Sequence, residues 1–123
     1  MTGKRVLIAD HDDAVRSQAR DALEAAGFEV LVADVGRQGV YLAERRQPDV
    51  VLVGMEMPDI DGPRILRELR ANPSTRDIPV VFLLTVDEPV PQGEGVAGAI
   101  TLPLDTGSLT SHLQHLLGWS AGD

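Results

Sequence analysis

The segment Pro48-Asp49-Val50-Val51-Leu52-Val53-Gly54-Met55-Glu56-Met57-Pro58 decides the fold. Val50 to Val53 is continuously apolar, so the strand it forms has no face to offer water. Such a run belongs at the centre of a parallel sheet covered by helices on both sides. Pro48 ends any helix before it, and Pro58-Asp59-Ile60-Asp61-Gly62 turns the chain away after it. Gly54 closes the strand where such sheets place their sites, at the carboxyl ends of the strands, and it contributes no side chain there.

Further out, the chain alternates strand and helix signals. Val6-Leu7-Ile8-Ala9 is a short apolar strand, followed at once by Asp10, His11, Asp12 and Asp13. Val15, Ala19, Ala22, Leu23 and Ala26 recur at helical spacing, with Gly27 as the stop. Phe28 to Ala33 reads as a second strand, and Val40, Leu42 and Ala43 mark a weaker helix. Ile65, Leu66 and Leu69 place a third helix after the turn. Pro79 opens a fourth strand, Val80-Val81-Phe82-Leu83-Leu84, and Ala97 to Leu102 reads as a fifth. Leu109, Leu113, Leu116 and Leu117 give an amphipathic last helix, with Asp105 or Thr106 as its expected N-cap.

This alternation implies right-handed crossovers and an α/β, three-layer, flavodoxin-like fold with a five-stranded parallel sheet in the order 2-1-3-4-5. One element is expected to be absent or very short. The fourth helix, due between strands four and five, falls on Asp87-Glu88-Pro89-Val90-Pro91-Gln92-Gly93-Glu94-Gly95, where two prolines and two glycines oppose it.

Composition bounds the function. A chain of 123 residues suits one domain with one core. Residues 1–118 are expected to form the domain, and 119–123 a tail or the start of a linker, with Trp119 covering the domain's own apolar edge. Aromatics are 3%, so the core must be built from Val, Leu, Ile, Ala and Met. A net charge of −8 opposes direct nucleic-acid binding. The absence of cysteine excludes disulfides, thiolate catalysis and zinc–thiolate sites, and fits a cytoplasmic protein. No stretch approaches the ~18–20 apolar residues of a membrane span, and Met1-Thr2-Gly3-Lys4-Arg5 lacks the form of a signal peptide. No Ser-His-Asp set, phosphate-binding glycine loop or metal-ligand spacing is present, so no enzyme is expected.

In their order and spacing, Val6-Leu7-Ile8-Ala9-Asp10, Pro48-Asp49-Val50-Val51-Leu52-Val53, Met57-Pro58 with Asp61-Gly62, and Asp77-Ile78-Pro79-Val80-Val81-Phe82 resemble the response-regulator receiver domain of two-component signal transduction and phosphorelays. The resemblance implies a site of two acids after strand one that hold Mg²⁺, a phosphate-accepting aspartate after strand three, a Thr or Ser after strand four, and a Lys before a proline after strand five.

Carried onto this chain, the resemblance finds Asp10 kept as the first acid and His11, a poor Mg²⁺ ligand, in the second acid position. Gly54 stands at the acceptor, Leu84 at the hydroxyl position with Thr85 one residue late, and Leu102 at the lysine. The signalling aromatic is replaced by Ala99. Strand alternation aims Thr85 away from the site unless a bulge intervenes. The family's cis bond is expected before Pro103. Losing the metal and the lysine fits losing the acceptor, because two unscreened carboxylates ~4 Å apart repel by about 4 kcal/mol at an effective dielectric of 20.

These departures describe an atypical pseudo-receiver with no cofactor and no expected Mg²⁺ binding. It would act without phosphorylation as a protein–protein interaction or homodimerisation module, through the edge of strand five and a last-helix surface of Leu109, His112, Leu113 and Leu116. The alternative is a sensor holding a small ligand or an anion in the vacated pocket.

Overall fold

The computed structural model describes residues 3–120. Five strands, β1 (Arg5–Ala9), β2 (Glu29–Ala33), β3 (Val50–Gly54), β4 (Val80–Leu84) and β5 (Val96–Thr101), alternate with helices α1 (Asp13–Ala25), α2 (Gly36–Arg46) and α3 (Gly62–Ala71), and α4 (Leu109–Leu117) closes the chain. All strand pairs are parallel, in the order β2-β1-β3-β4-β5. Every residue of β3 and β4 is buried, as their unbroken apolar runs require.

Period-two alternation divides the core between the two faces of the sheet. Leu7, Val51, Val53 and Phe82 face one side and meet Ala43 of α2 and Ile65, Leu66 and Leu69 of α3. Val6, Ile8, Leu52 and Leu83 face the other and meet Ala19 and Leu23 of α1 and Leu109 and Leu113 of α4. Burying each of these Val, Leu, Ile and Phe side chains contributes about 1.5–3 kcal/mol. Trp119 lies against the second cluster, its ring 6.0 Å from that of Phe28, with the Lys4 ammonium 4.9 Å above it. It therefore covers the domain's own edge, as expected; of the proposed tail, residues 121–123 lie outside the described residues.

Caps fix the helix entries. The Asp12 carboxylate accepts from the amides of Ala14 and Val15 at the start of α1, and Asp61 accepts from Arg64 at the start of α3. The N-cap of α2, Val35, offers no such bond. Asp59 supplies it from the β3–α3 loop, accepting from Gly36 N at 2.7 Å and Arg37 N at 2.9 Å. The last helix corrects the sequence reading: its N-cap is Ser108, not Asp105 or Thr106. Asp105 instead turns the chain before the helix, accepting from Gly107 N.

Between β4 and β5 the described chain forms turns and no helix. The connection, Thr85 to Gly95, is held to α3 as a strap. Arg70 donates to Glu94 O of the strap at 2.5 Å, and its guanidinium is anchored to Ile78 O, before β4, at 2.8 Å. Gly95 allows this close approach: its φ is +77°, and a β-carbon there would stand 2.9 Å from the Arg70 guanidinium carbon.

Candidate functional site

The carboxyl ends of β1 and β3 meet at Asp10 and Gly54. Asp10 is only 4% exposed. Its Oδ1 accepts from Asp12 N at 2.9 Å, and Arg16 holds its carbonyl from α1 at 2.8 Å. The rest of the carboxylate lies over Gly54. A β-carbon at position 54 would stand 3.0 Å from Asp10 Cγ and closer still to Oδ2. Burial, first among several influences, pushes the Asp10 carboxyl above its ordinary range.

Beside Asp10 lies a cavity of about 330 Å³ whose lining includes Asp10, His11, Asp12, Glu56, Thr85, Glu88 and Leu102. His11 Nδ1 is 3.8 Å from Asp10 Oδ1, on a side chain that is 55% exposed. Leu102, joined to Pro103 by the expected cis bond, presents an aliphatic side chain to the cavity. Of the site residues predicted from sequence, Asp10, His11, Thr85 and Leu102 line this cavity, and two readings need correction.

The first concerns strand four. Thr85 lines the cavity, whereas Leu84 packs into the α2/α3 core. Gly54 pairs with Leu83, so the site shares the parity of Leu83 and Thr85, not of Leu84. Thr85 also has its own partner: its amide and hydroxyl donate to Glu88 Oε1 at 2.8 and 3.0 Å, and Glu88 N donates back to Thr85 O. The one sequence signal for Glu88 is Thr-x-x-Glu, the spacing of a capping box.

The second concerns the proposed last-helix surface. Leu109 and Leu113 are 2% and 0% exposed and belong to the core, so they offer nothing to a partner. His112 faces solvent, and Leu116 is half-buried against the same cluster. Ala99 sits on β5 opposite Phe82, where it packs against the α2/α3 core.

Mg²⁺ demands near-octahedral oxygen ligands, and acids beside this cavity already have partners within the chain. Asp10 is committed to the Asp12 amide, Asp12 to the α1 terminus and Asp13 to Arg16. Among the described residues, no three His, Cys, Asp or Glu side chains are placed to share one ion.

Comparisons with known proteins agree with this fold. Residues 6–112 match the response regulator receiver domain. Protein PilH of Pseudomonas aeruginosa is 32% identical over 92% of this chain and 97% of its own length. The DNA-binding dual master transcriptional regulator RpaA of Synechocystis is 32% identical over 92% of this chain, which spans 48% of RpaA. The receiver domain of sensor histidine kinase PA1611 from Pseudomonas aeruginosa, whose structure holds a magnesium ion in the active-site cleft, superposes with a TM-score of 0.82 at 25% identity, covering 94% of this chain and 98% of that domain. The chain belongs to the response-regulator receiver family, and is a receiver domain of two-component signalling. No helix among the described residues is long and apolar enough to cross a membrane.

Proposed function

We propose that this receiver works without phosphorylation, as a protein–protein interaction module whose docking state is the one it folds into. One observation carries the reading: the acceptor place is empty of side chain at Gly54, and the Asp10 carboxylate fills the adjoining space. Transfer needs a carboxylate nucleophile and cations to neutralise the transferring charge. Leu102 supplies no cation, and the acids that would hold Mg²⁺ are tied to helix and backbone partners. With a net charge of −8, the domain itself is not a nucleic-acid binder, and it is read as a non-enzyme without a cofactor.

Incubation with acetyl phosphate and Mg²⁺, followed by intact mass, tests this. The expected result is an unmodified chain; a stable aspartyl phosphate would overturn the proposal.

The cavity favours a second reading, a small-ligand sensor. Its lining of Asp10, Asp12, Glu56 and Glu88, against His11 alone, disfavours an anion and suits a small amine. A thermal-shift series with small amines tests it, since a ligand bound only to the native state raises the midpoint. A flat series would sink it.

A further inference from the structure

The three exposed large hydrophobic residues among those described lie in two places: Tyr41, 56% exposed, on α2, and Val86 and Val90, 81% and 38% exposed, on the β4–β5 strap. The two places carry opposite charge. Arg37, Tyr41 and Arg45 recur at i, i+4 and i+8 and so form one stripe on α2. The Arg45 guanidinium lies 5.6 Å above the Tyr41 ring. Neither arginine side chain forms an ion pair among the described residues. In a chain of net charge −8, α2 nevertheless holds three arginines and one glutamate. The strap is the reverse: Val86 and Val90 flank Asp87-Glu88-Pro89, and no Lys or Arg occurs from Thr85 to Gly95.

Within one molecule these patches lie on different elements, with α3 between them. α2 packs on β1 and β2, towards one end of the sheet, and the strap joins β4 to β5 at the other. We propose that copies of this chain associate head to tail, the α2 stripe of one seating on the β4–β5 strap of the next. The proposal rests on the interaction-module reading and names its partner and surface. Tyrosine and arginine are the residue types that carry most binding energy at interfaces, and the strap offers them apolar side chains beside an acid. Net repulsion between copies weakens the contact. At 0.15 M salt, however, the Debye length is about 8 Å, which screens the distant charges while patches in contact at ~4 Å still attract. Because the two surfaces differ, the contact is heterologous and leaves a free patch at each end.

The test is the solution mass of the whole chain by light scattering, from about 10 μM to about 1 mM. The expected mass rises with concentration from the 13.2 kDa monomer to beyond the dimer. The Arg37→Glu/Arg45→Glu and Val86→Asp/Val90→Asp variants, all at exposed positions, should each stay monomeric with unchanged melting. Mixed together, they each retain one competent face, so the mass should rise about twofold and stop at pairs. A wild-type monomer throughout, a variant that associates like wild type, or a mixture that does not pair would each overturn the proposal. None of these results bears on phosphorylation independence, which labelling alone decides.

Discussion

The Asp10 carboxylate lies over the α-carbon of Gly54, in the space a side chain at position 54 would enter. The two residues end adjacent strands, and Ala9 pairs with Val53 immediately before them. A buried acid and a glycine therefore form one unit: the glycine makes room, and the acid takes it, tied to the first turn of α1 through the Asp12 amide.

The first prediction is a coupling between the two. Gly54→Ala forces its β-carbon against Asp10 and should destabilise the domain by about 1–3 kcal/mol. In the Asp10→Ala background the same change should cost less, leaving a coupling of roughly 1–3 kcal/mol in a double-mutant cycle. Chemical denaturation of the four chains measures it. Strict additivity would mean that Asp10 does not occupy that space.

A second follows for Gly54→Asp. Returning a carboxylate to position 54 crowds Asp10 and restores neither the cation at Leu102 nor a free metal-binding acid. The variant should remain unlabelled by acetyl phosphate with Mg²⁺, and intact mass checks this. Labelling would show that the acceptor alone had been missing.

Burial sets the sign of a third. The Asp10 carboxyl titrates above its ordinary value, so between the unfolded value, about 3.9, and the folded one the native state binds the extra proton. Stability from this group is therefore fully present below the unfolded value and is lost as pH rises through the folded one. Asp10→Asn removes that loss. The variant's stability relative to wild type should increase from acid to neutral pH in denaturant titrations; a difference independent of pH would contradict it.

Most of this architecture was legible in the sequence because its strands are extreme cases. Val50 to Val53 and Val80 to Leu84 have no polar face, so a central position and two helix layers were forced. The missing helix was legible because Pro89, Pro91, Gly93 and Gly95 each oppose one. Three features were not. Alternation counted from Leu84 aims Thr85 away from the site, whereas Leu83 is the residue paired with Gly54, a register that spacing does not reveal. The N-cap of α4 moved to Ser108 because Asp105 bonds within the preceding turn. Leu109 and Leu113 read as a surface only while the partner of α4 was unknown; α1 and the sheet bury them. The position of the Asp10 carboxylate depends on side-chain torsions, which no spacing encodes.

The strap gives a fourth prediction. With no helix between β4 and β5, Arg70 secures the connection through Glu94 O while its other arm holds Ile78 O before β4. Arg70→Ala removes charge-assisted bonds worth about 1.5–3 kcal/mol each, partly offset by water at this half-buried position. The expected outcome is a loss of roughly 2 kcal/mol together with faster proteolytic cleavage between Val86 and Gly95. Unchanged cleavage would show that the strap is held by other contacts.

The last prediction sets Asp59 against Asp10. Some desolvation raises the Asp59 carboxyl, but the amides of Arg37, Ile60 and Gly36 together outweigh it and hold the group below its usual value. Its contribution is therefore full above the unfolded value of about 3.9 and is lost as pH falls through the folded one, the reverse of Asp10. Because the cap reaches α2 from the β3–α3 loop, it also ties the loop beside the site to the helix that carries Arg37 and Tyr41. Asp59→Asn keeps one acceptor and loses the charge, so it should cost about 1 kcal/mol at neutral pH, with the deficit closing in acid. Urea titrations of both chains across pH check it. A deficit that persisted at the acid end would mean that the bond geometry, and not the charge, carries the cap.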